Sequence, residues 1–188
     1  MSRLLLMRHA KSDRTDAEAE AEDFDRPLSE RGREGAVRMG RHMAALGLAP
    51  QRILCSTARR SRETLALMLP SFPSDCEIRM TRDLYLAGED ETIDEIRGHG
   101  GSAATLLVIG HEPGLTHTAR ALIGAGHPSL IEDLEAKFPT AGLAVIDFPA
   151  IRWVDVELKA GKLVAFLRPR TIELVKEIVA DPDGDEEA

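Results

Sequence analysis

Four consecutive apolar residues, Leu4 to Met7, run into Arg8-His9 at the start of the chain. A run this short and unbroken predicts a strand covered on both faces, as in a parallel sheet. Arg52 to Cys55 repeats the pattern and flows into a helical stretch reaching Leu69, which Ser56 or Thr57 can cap and Pro70 and Pro73 end. Thr105 to Ile109 is the third clear strand and delivers Gly110-His111; Glu77 to Met80 is a weaker one. Leu143 to Phe148, Val154 to Leu158 and Leu163 to Leu167 have the character of later strands, the last two joined by a turn at Gly161. Between the strands the period changes to that of a helix. Ala36, Met39, Gly40, Met43 and Leu46 form one apolar stripe behind a Ser29 N-cap, stopped by Gly47 and Pro50. Thr92 to Arg97 predicts a short helix closed by the Gly98 to Gly101 turn. Leu115 to Ile123 predicts another, with Pro113 in its first turn, and residues 170–179 a closing one.

Strands alternating with helices predict an α/β fold, a three-layer α/β/α sandwich around a largely parallel sheet. One domain over 1–180 is expected, with an acidic, disordered tail over 181–188. The formal net charge of −8 argues against a nucleic-acid or anionic-membrane surface, so an anion site must be a local gathering of Arg and His. The acidic crowd from Asp16 to Asp25 reads as a solvated surface loop. Cys55 and Cys76 make no disulfide framework and match no zinc spacing. No stretch is long enough for a membrane span, and a cytoplasmic location is expected.

In a parallel sheet the strand ends share one edge, where ligands bind. That edge would gather Arg8, His9, the Arg59/Arg60 pair and His111. Two imidazoles with guanidinium forks and no carboxylate cage suit metal-free phosphoryl transfer, with no cofactor. One imidazole would attack phosphorus; the other would donate hydrogen bonds to the phosphoryl group. Rival chemistries fail by register. A cysteine phosphatase needs Arg six residues after its Cys, but Ser61 follows Cys55 at that distance. A zinc His-Glu-x-x-His helix starting at His111 would need His where Leu115 stands. His42, His99, His117 and His127 have no evident partner.

Arg8-His9-Ala10 resembles the Arg-His-Gly signature of the histidine phosphatase, or phosphoglycerate mutase-like, superfamily. Leu28-Ser29-Glu30-Arg31-Gly32 is similar to its Leu-Thr-x-x-Gly segment. Ser56, Arg60 and Thr64 match a Ser-x-x-x-Arg-x-x-x-Thr helix start, and Gly110-His111 the second histidine. With Asp25-Arg26-Pro27 and Lys137-Phe138-Pro139-Thr140, the chain most resembles the small SixA-type phosphohistidine phosphatases. The resemblance implies His9 as nucleophile and Arg8, Arg60 and His111 as the phosphate pocket. It also implies a phosphorylated protein, carrying phosphohistidine in a signalling or phosphotransfer role, as substrate. A small phosphorylated molecule is the alternative, and a non-catalytic phospho-ligand binding module the third reading. Many relatives place a glutamate acid where Leu84 stands here; Asp83, Glu89 and Asp90 are the nearby substitutes. A site without a firm acid should favour a phosphoramidate, whose nitrogen leaves readily, over an alkyl phosphate.

Overall fold

The computed structural model describes residues 1–13 and 23–169. The predicted closing helix, the acidic tail and most of the acidic segment lie outside these residues. Seven strands form one sheet: β1 (Ser2–Arg8), β2 (Arg52–Ser56), β3 (Glu77–Thr81), β4 (Thr105–Gly110), β5 (Ile123–Gly126), β6 (Leu143–Phe148) and β7 (Gly161–Leu167). Their spatial order is β3-β2-β4-β1-β6-β7-β5. Among the described residues five α-helices accompany it: α1 (Glu30–Ala45), α2 (Arg59–Met68), α3 (Glu89–His99), α4 (Gly114–Leu122) and α5 (Pro128–Ala136).

The opening apolar run is the central strand. β1 pairs in parallel with β4 on one side and antiparallel with β6 on the other. Its side chains alternate between two cores, Leu4 and Leu6 into one, Leu5 and Met7 into the other. All four are fully buried, each stabilising the fold by about 1.5–3 kcal/mol. That is why the run lacks alternation: both faces are interior, so the expected α/β sandwich holds.

α1 begins as predicted, with the Ser29 hydroxyl accepting the Gly32 amide. Gly32 packs so close to the loop after β1 that a Cβ there would collide with the Lys11 carbonyl. Gly47, at φ +67°, closes the helix end. Leu46 departs from the predicted stripe: it is the C-cap and half exposed, because the chain has already left the helix.

Other departures follow α1 along the chain. α2 starts later than expected, at Arg59, and its N-cap Ala58 has no side-chain bond; the Ser56 hydroxyl is used elsewhere. α3 is longer than predicted at both ends, with Glu91 reaching back to the Gly88 amide. Val154 to Leu158 is not a strand. A 3-10 turn, Trp153–Asp155, overlaps its start, and the Trp153 indole donates to the Ala103 carbonyl and fills a core. β5 and α5 were not predicted: β5 is four residues with two glycines, and α5 carries one fully buried residue, Leu134. His127 caps α5 through Nδ1, which accepts the Ser129 amide. The sheet is parallel in four of its six pairings and antiparallel at β1–β6 and β6–β7. Among the described residues, no helix is long and apolar enough to cross a membrane.

Candidate active site

Sheet register brings the chemistry together. Arg8 pairs with Gly110 across β1–β4, and Cys55 with Ile109 across β2–β4, so three parallel strands end level. The His9 amide extends the ladder by donating to the Gly110 carbonyl at 3.2 Å. Arg60 sits in the first turn of α2, just past the end of β2, and is 2% exposed. Its Nε donates to His9 Nε2 at 3.2 Å, and its Nη2 to His111 Nδ1 at 3.2 Å. The two imidazole rings lie 5.1 Å apart, tilted by 51°. His9, Arg60 and His111, far apart in sequence, are one contact group.

The partners fix both tautomers. His9 Nδ1 lies 2.8 Å from the Ala10 carbonyl, which can only accept, so Nδ1 carries the proton. The Nε2 lone pair therefore faces Arg60. At His111 the guanidinium claims Nδ1, so Nε2 bears the proton and donates to the Ser56 hydroxyl at 2.8 Å. Ser61 Oγ is 3.4 Å from the same nitrogen. Burial, with the neighbouring arginines, pushes the pKa of His9 down to about 3. Burial, then His9 and Arg60, do the same for His111. Both rings are thus neutral near pH 7. His111 differs from expectation here: its one N–H is committed to Ser56, leaving no donor for a phosphoryl oxygen until it gains a second proton.

Thr64 locks the backbone around the nucleophile candidate. Its hydroxyl accepts the Ala10 amide at 2.9 Å and donates to the Arg60 carbonyl at 2.7 Å. The Ser-Arg-Thr spacing thus has a physical basis: Ser56 orients His111, Arg60 reaches both rings, and Thr64 ties α2 to the loop after β1. Arg8 stands to one side. Its Nη1 donates to the Phe138 carbonyl at 2.9 Å, and its Nε is buried without a partner among the described residues. Arg59 pairs with Glu63 on the exposed side of α2, away from the histidines.

Composition and pattern gave no signal for two residues that close over the group. The Asp23 carbonyl and carboxylate accept from Arg60 Nη1 and Nη2 at 2.6 and 3.1 Å. Tyr85 donates to the same carboxylate at 2.8 Å and sets its ring edge-on to His111, with centroids 5.6 Å apart. The Tyr85 hydroxyl and the Arg60 and Arg26 guanidinium groups outweigh burial and keep the Asp23 carboxyl below its usual range. Asp23 is therefore an ionised carboxylate seated on the arginine, the place an incoming anion would take. Asp23 falls within the segment read as a solvated surface loop.

The expected replacement acids do not reach the histidines. Asp83 accepts the Thr81 hydroxyl at 2.9 Å, and neither Glu89 nor Asp90 bonds to His9, Arg60 or His111. Leu84 is buried in a core. Burial raises the Glu112 carboxyl, but Thr116 engages both its oxygens, at 3.2 Å through the amide and 2.6 Å through the hydroxyl. Among the described residues no three His, Cys, Asp or Glu side chains gather as a cation would require.

Residues 4–85 match the model of the histidine phosphatase superfamily, branch 1. An uncharacterized protein of Mycobacterium leprae is 38% identical over 166 residues, covering 87% of this chain and all of that protein. Two solved structures named provisionally as the phosphohistidine phosphatase SixA share the fold. The one from Agrobacterium tumefaciens has 31% identity and a TM-score of 0.74, over 89% of this chain and 98% of its own. The one from Nakamurella multipartita has 29% identity and a TM-score of 0.75, over 89% and 96%. The paired histidines on a shared sheet edge, the buried arginine between them and the extent of these likenesses agree: the chain belongs to the histidine phosphatase superfamily, and within it to the SixA type.

Proposed function

We propose that this phosphatase works without a metal, with His9 Nε2 carrying the phosphoryl group from substrate to water, and that protein phosphohistidine is its substrate. The observation that supports the reading most is the His9 lone pair, fixed by the Ala10 carbonyl and aimed at a buried guanidinium. A neutral imidazole with its far nitrogen protonated is a competent nucleophile. An entering phosphate dianion takes the Arg60 donors that Asp23 holds in the free protein. Its charge also opposes the burial that keeps His111 neutral, so His111 can gain a proton at Nδ1 and then donate to a phosphoryl oxygen. His9 Nε2 forms its bond to phosphorus as the bond to the leaving group breaks. Arg8 and Arg60 offset the charge on the equatorial oxygens. Water then attacks phosphorus, the P–N bond breaks, and inorganic phosphate departs with His9 neutral again.

The choice of substrate follows from the leaving group. The carboxylate that touches Arg60, Asp23, is held ionised and has no proton to give. An alkoxide would need one; the imidazole nitrogen of a phosphohistidine is protonated from solvent near neutral pH and leaves without enzymic help. The SixA relatives carry phosphohistidine phosphatase in their names, which supports the same class. The two thiols, Cys55 and Cys76, are both free, in keeping with the reducing cytoplasm. A panel of phosphohistidine peptide, 3-phosphoglycerate and phenyl phosphate, with and without chelator, tests the reading. Turnover is expected to be fastest on the peptide and indifferent to chelator. Faster loss from phosphoglycerate, or abolition by chelator, would overturn it.

A further inference from the structure

Beside His9 opens a cleft of about 820 Å³ whose charge is at odds with the rest of the molecule. Arg8, Lys11, Arg26, Arg31, Lys137 and Arg168 line it, and among the described residues no Asp or Glu does. The whole chain has 24 basic residues against 32 acidic ones, so six cations in one concave wall is a strong local reversal. The wall is assembled from four separated segments: the end of β1 and its loop, the start of α1 with the loop before it, residues 137–141, and the chain after β7. Arg26 pairs with Asp23 at 3.0 Å and Arg168 with Asp133 at 3.1 Å, but neither fork is filled. The Nε atoms of Arg8, Arg26 and Arg168 are all buried without a hydrogen-bond partner among the described residues. Three donors in one wall left in that condition is costly unless an acceptor arrives. Lys11, Arg31 and Lys137 are exposed and make no ion pair among the described residues.

The volume is that of a small-molecule site, and an occupant matched to its cations carries dense negative charge beside His9, which lines the cleft. A phosphate supplies up to two charges and several acceptor oxygens in one compact unit; a single carboxylate supplies one charge. The scarcity of enzymic acid selects further. A leaving phosphate, with a pKa near neutrality, departs as readily as an imidazole and needs no proton from the protein. We propose that the enzyme also cleaves phosphoanhydrides, with the terminal phosphoryl group of a small diphosphate at His9 and the leaving phosphate held in the basic cleft. His9 Nε2 bonds to the terminal phosphorus, and the bond from that phosphorus to the bridging oxygen breaks. The bridging oxygen keeps the electron pair, so the leaving part departs as a phosphate monoester from an organic diphosphate, or as inorganic phosphate from pyrophosphate, its charge balanced by the cleft cations. Hydrolysis of phospho-His9 then releases inorganic phosphate. The proposal rests on the phospho-His9 reading and not on phosphohistidine being the natural substrate.

The test compares ADP and inorganic pyrophosphate with phenyl phosphate and two phosphohistidine peptides, one flanked by Asp and Glu, the other by Ala. The expected result is a kcat/KM for ADP at least tenfold above that for phenyl phosphate. In R31E/K137E, both exposed positions, ADP should lose at least tenfold more than phenyl phosphate does. K137Q alone should show the same preference more weakly, and circular dichroism of each variant establishes that it folds. Equal rates on ADP and phenyl phosphate, or equal losses in the variants, would overturn the proposal. If the acid-flanked peptide suffers the selective loss while ADP does not, the cleft receives an acidic protein segment and the diphosphate assignment is wrong. If no phosphorylated compound is turned over, the phospho-His9 reading itself has failed, which is a separate result.

Discussion

The two halves of the sheet do different work. In β3-β2-β4-β1 every pairing is parallel, so β1, β2 and β4 end on one edge, and from that edge come His9, Ser56, Arg60 and His111. In β6-β7-β5 the strand β6 runs against both of its neighbours, β1 and β7, so its end lies on the opposite edge, and only β7 and β5 pair in parallel. None of the histidine–arginine contacts comes from those strands; their side of the fold supplies the Phe138 carbonyl that holds Arg8, and one wall of the cleft. Parallel strands collect chemistry because their ends coincide, whereas antiparallel strands brace the sheet against which that chemistry is held.

Apart from loss of the nucleophile itself, the largest effect expected from disturbing the parallel half is at Arg60. Arg60→Lys keeps the charge but loses the fork that meets both imidazoles, and kcat/KM should fall by about 10²–10³. Steady-state kinetics on phosphohistidine peptide measure it; a loss under threefold would remove Arg60 from the reaction. The opposite half should respond in stability. Leu163, 1% exposed on β7, should cost about 2–5 kcal/mol as Leu163→Ala, read from urea unfolding. The kcat of the protein that remains folded should stay within about twofold. A collapse of kcat at unchanged stability would contradict the division of labour.

Acid should expose the parallel half selectively. His9 and His111 have folded pKa values depressed to about 3, below the ordinary 6.5. As pH falls below 6.5 the unfolded chain takes up protons that these two rings refuse, so their contribution disfavours the folded state increasingly down to about pH 3. The midpoint of thermal unfolding should therefore fall between pH 7 and 5, and less steeply in His111→Gln. An unchanged slope would show that the ring is not held neutral. The smallest effect is expected at Asp23. Asp23→Asn removes the charge competing for Arg60, and inorganic phosphate should inhibit the variant roughly three- to tenfold more tightly. Weaker inhibition would mean that Asp23 assists anion binding.

The same contrast explains what the sequence disclosed. β1, β2 and β4 are short apolar runs buried on both faces, a pattern with few alternatives, and their terminal residues carried the chemistry in plain view. β5 escaped because a four-residue strand with two glycines has no apolar pattern to read. Val154 to Leu158 misled because its apolar residues fall in and around a 3-10 turn: Trp153 and Val156 are buried, while Val154 and Leu158 are exposed. Within the site, the strand ends narrowed the arginine to the Arg59/Arg60 pair, and the family resemblance chose Arg60. Asp23 and Tyr85 could not be found that way, since each acts by a tertiary contact, 37 and 62 residues across the chain, that no local pattern encodes.

The most direct measurement is the covalent state of His9 during turnover. Rapid quenching with a phosphodonor, followed by peptide mass spectrometry under alkaline conditions, should find one acid-labile phosphoryl group on His9. His9→Ala should show none and lose about 10⁴-fold or more in kcat. A phosphoryl group on another residue, or full activity in His9→Ala, would contradict the account.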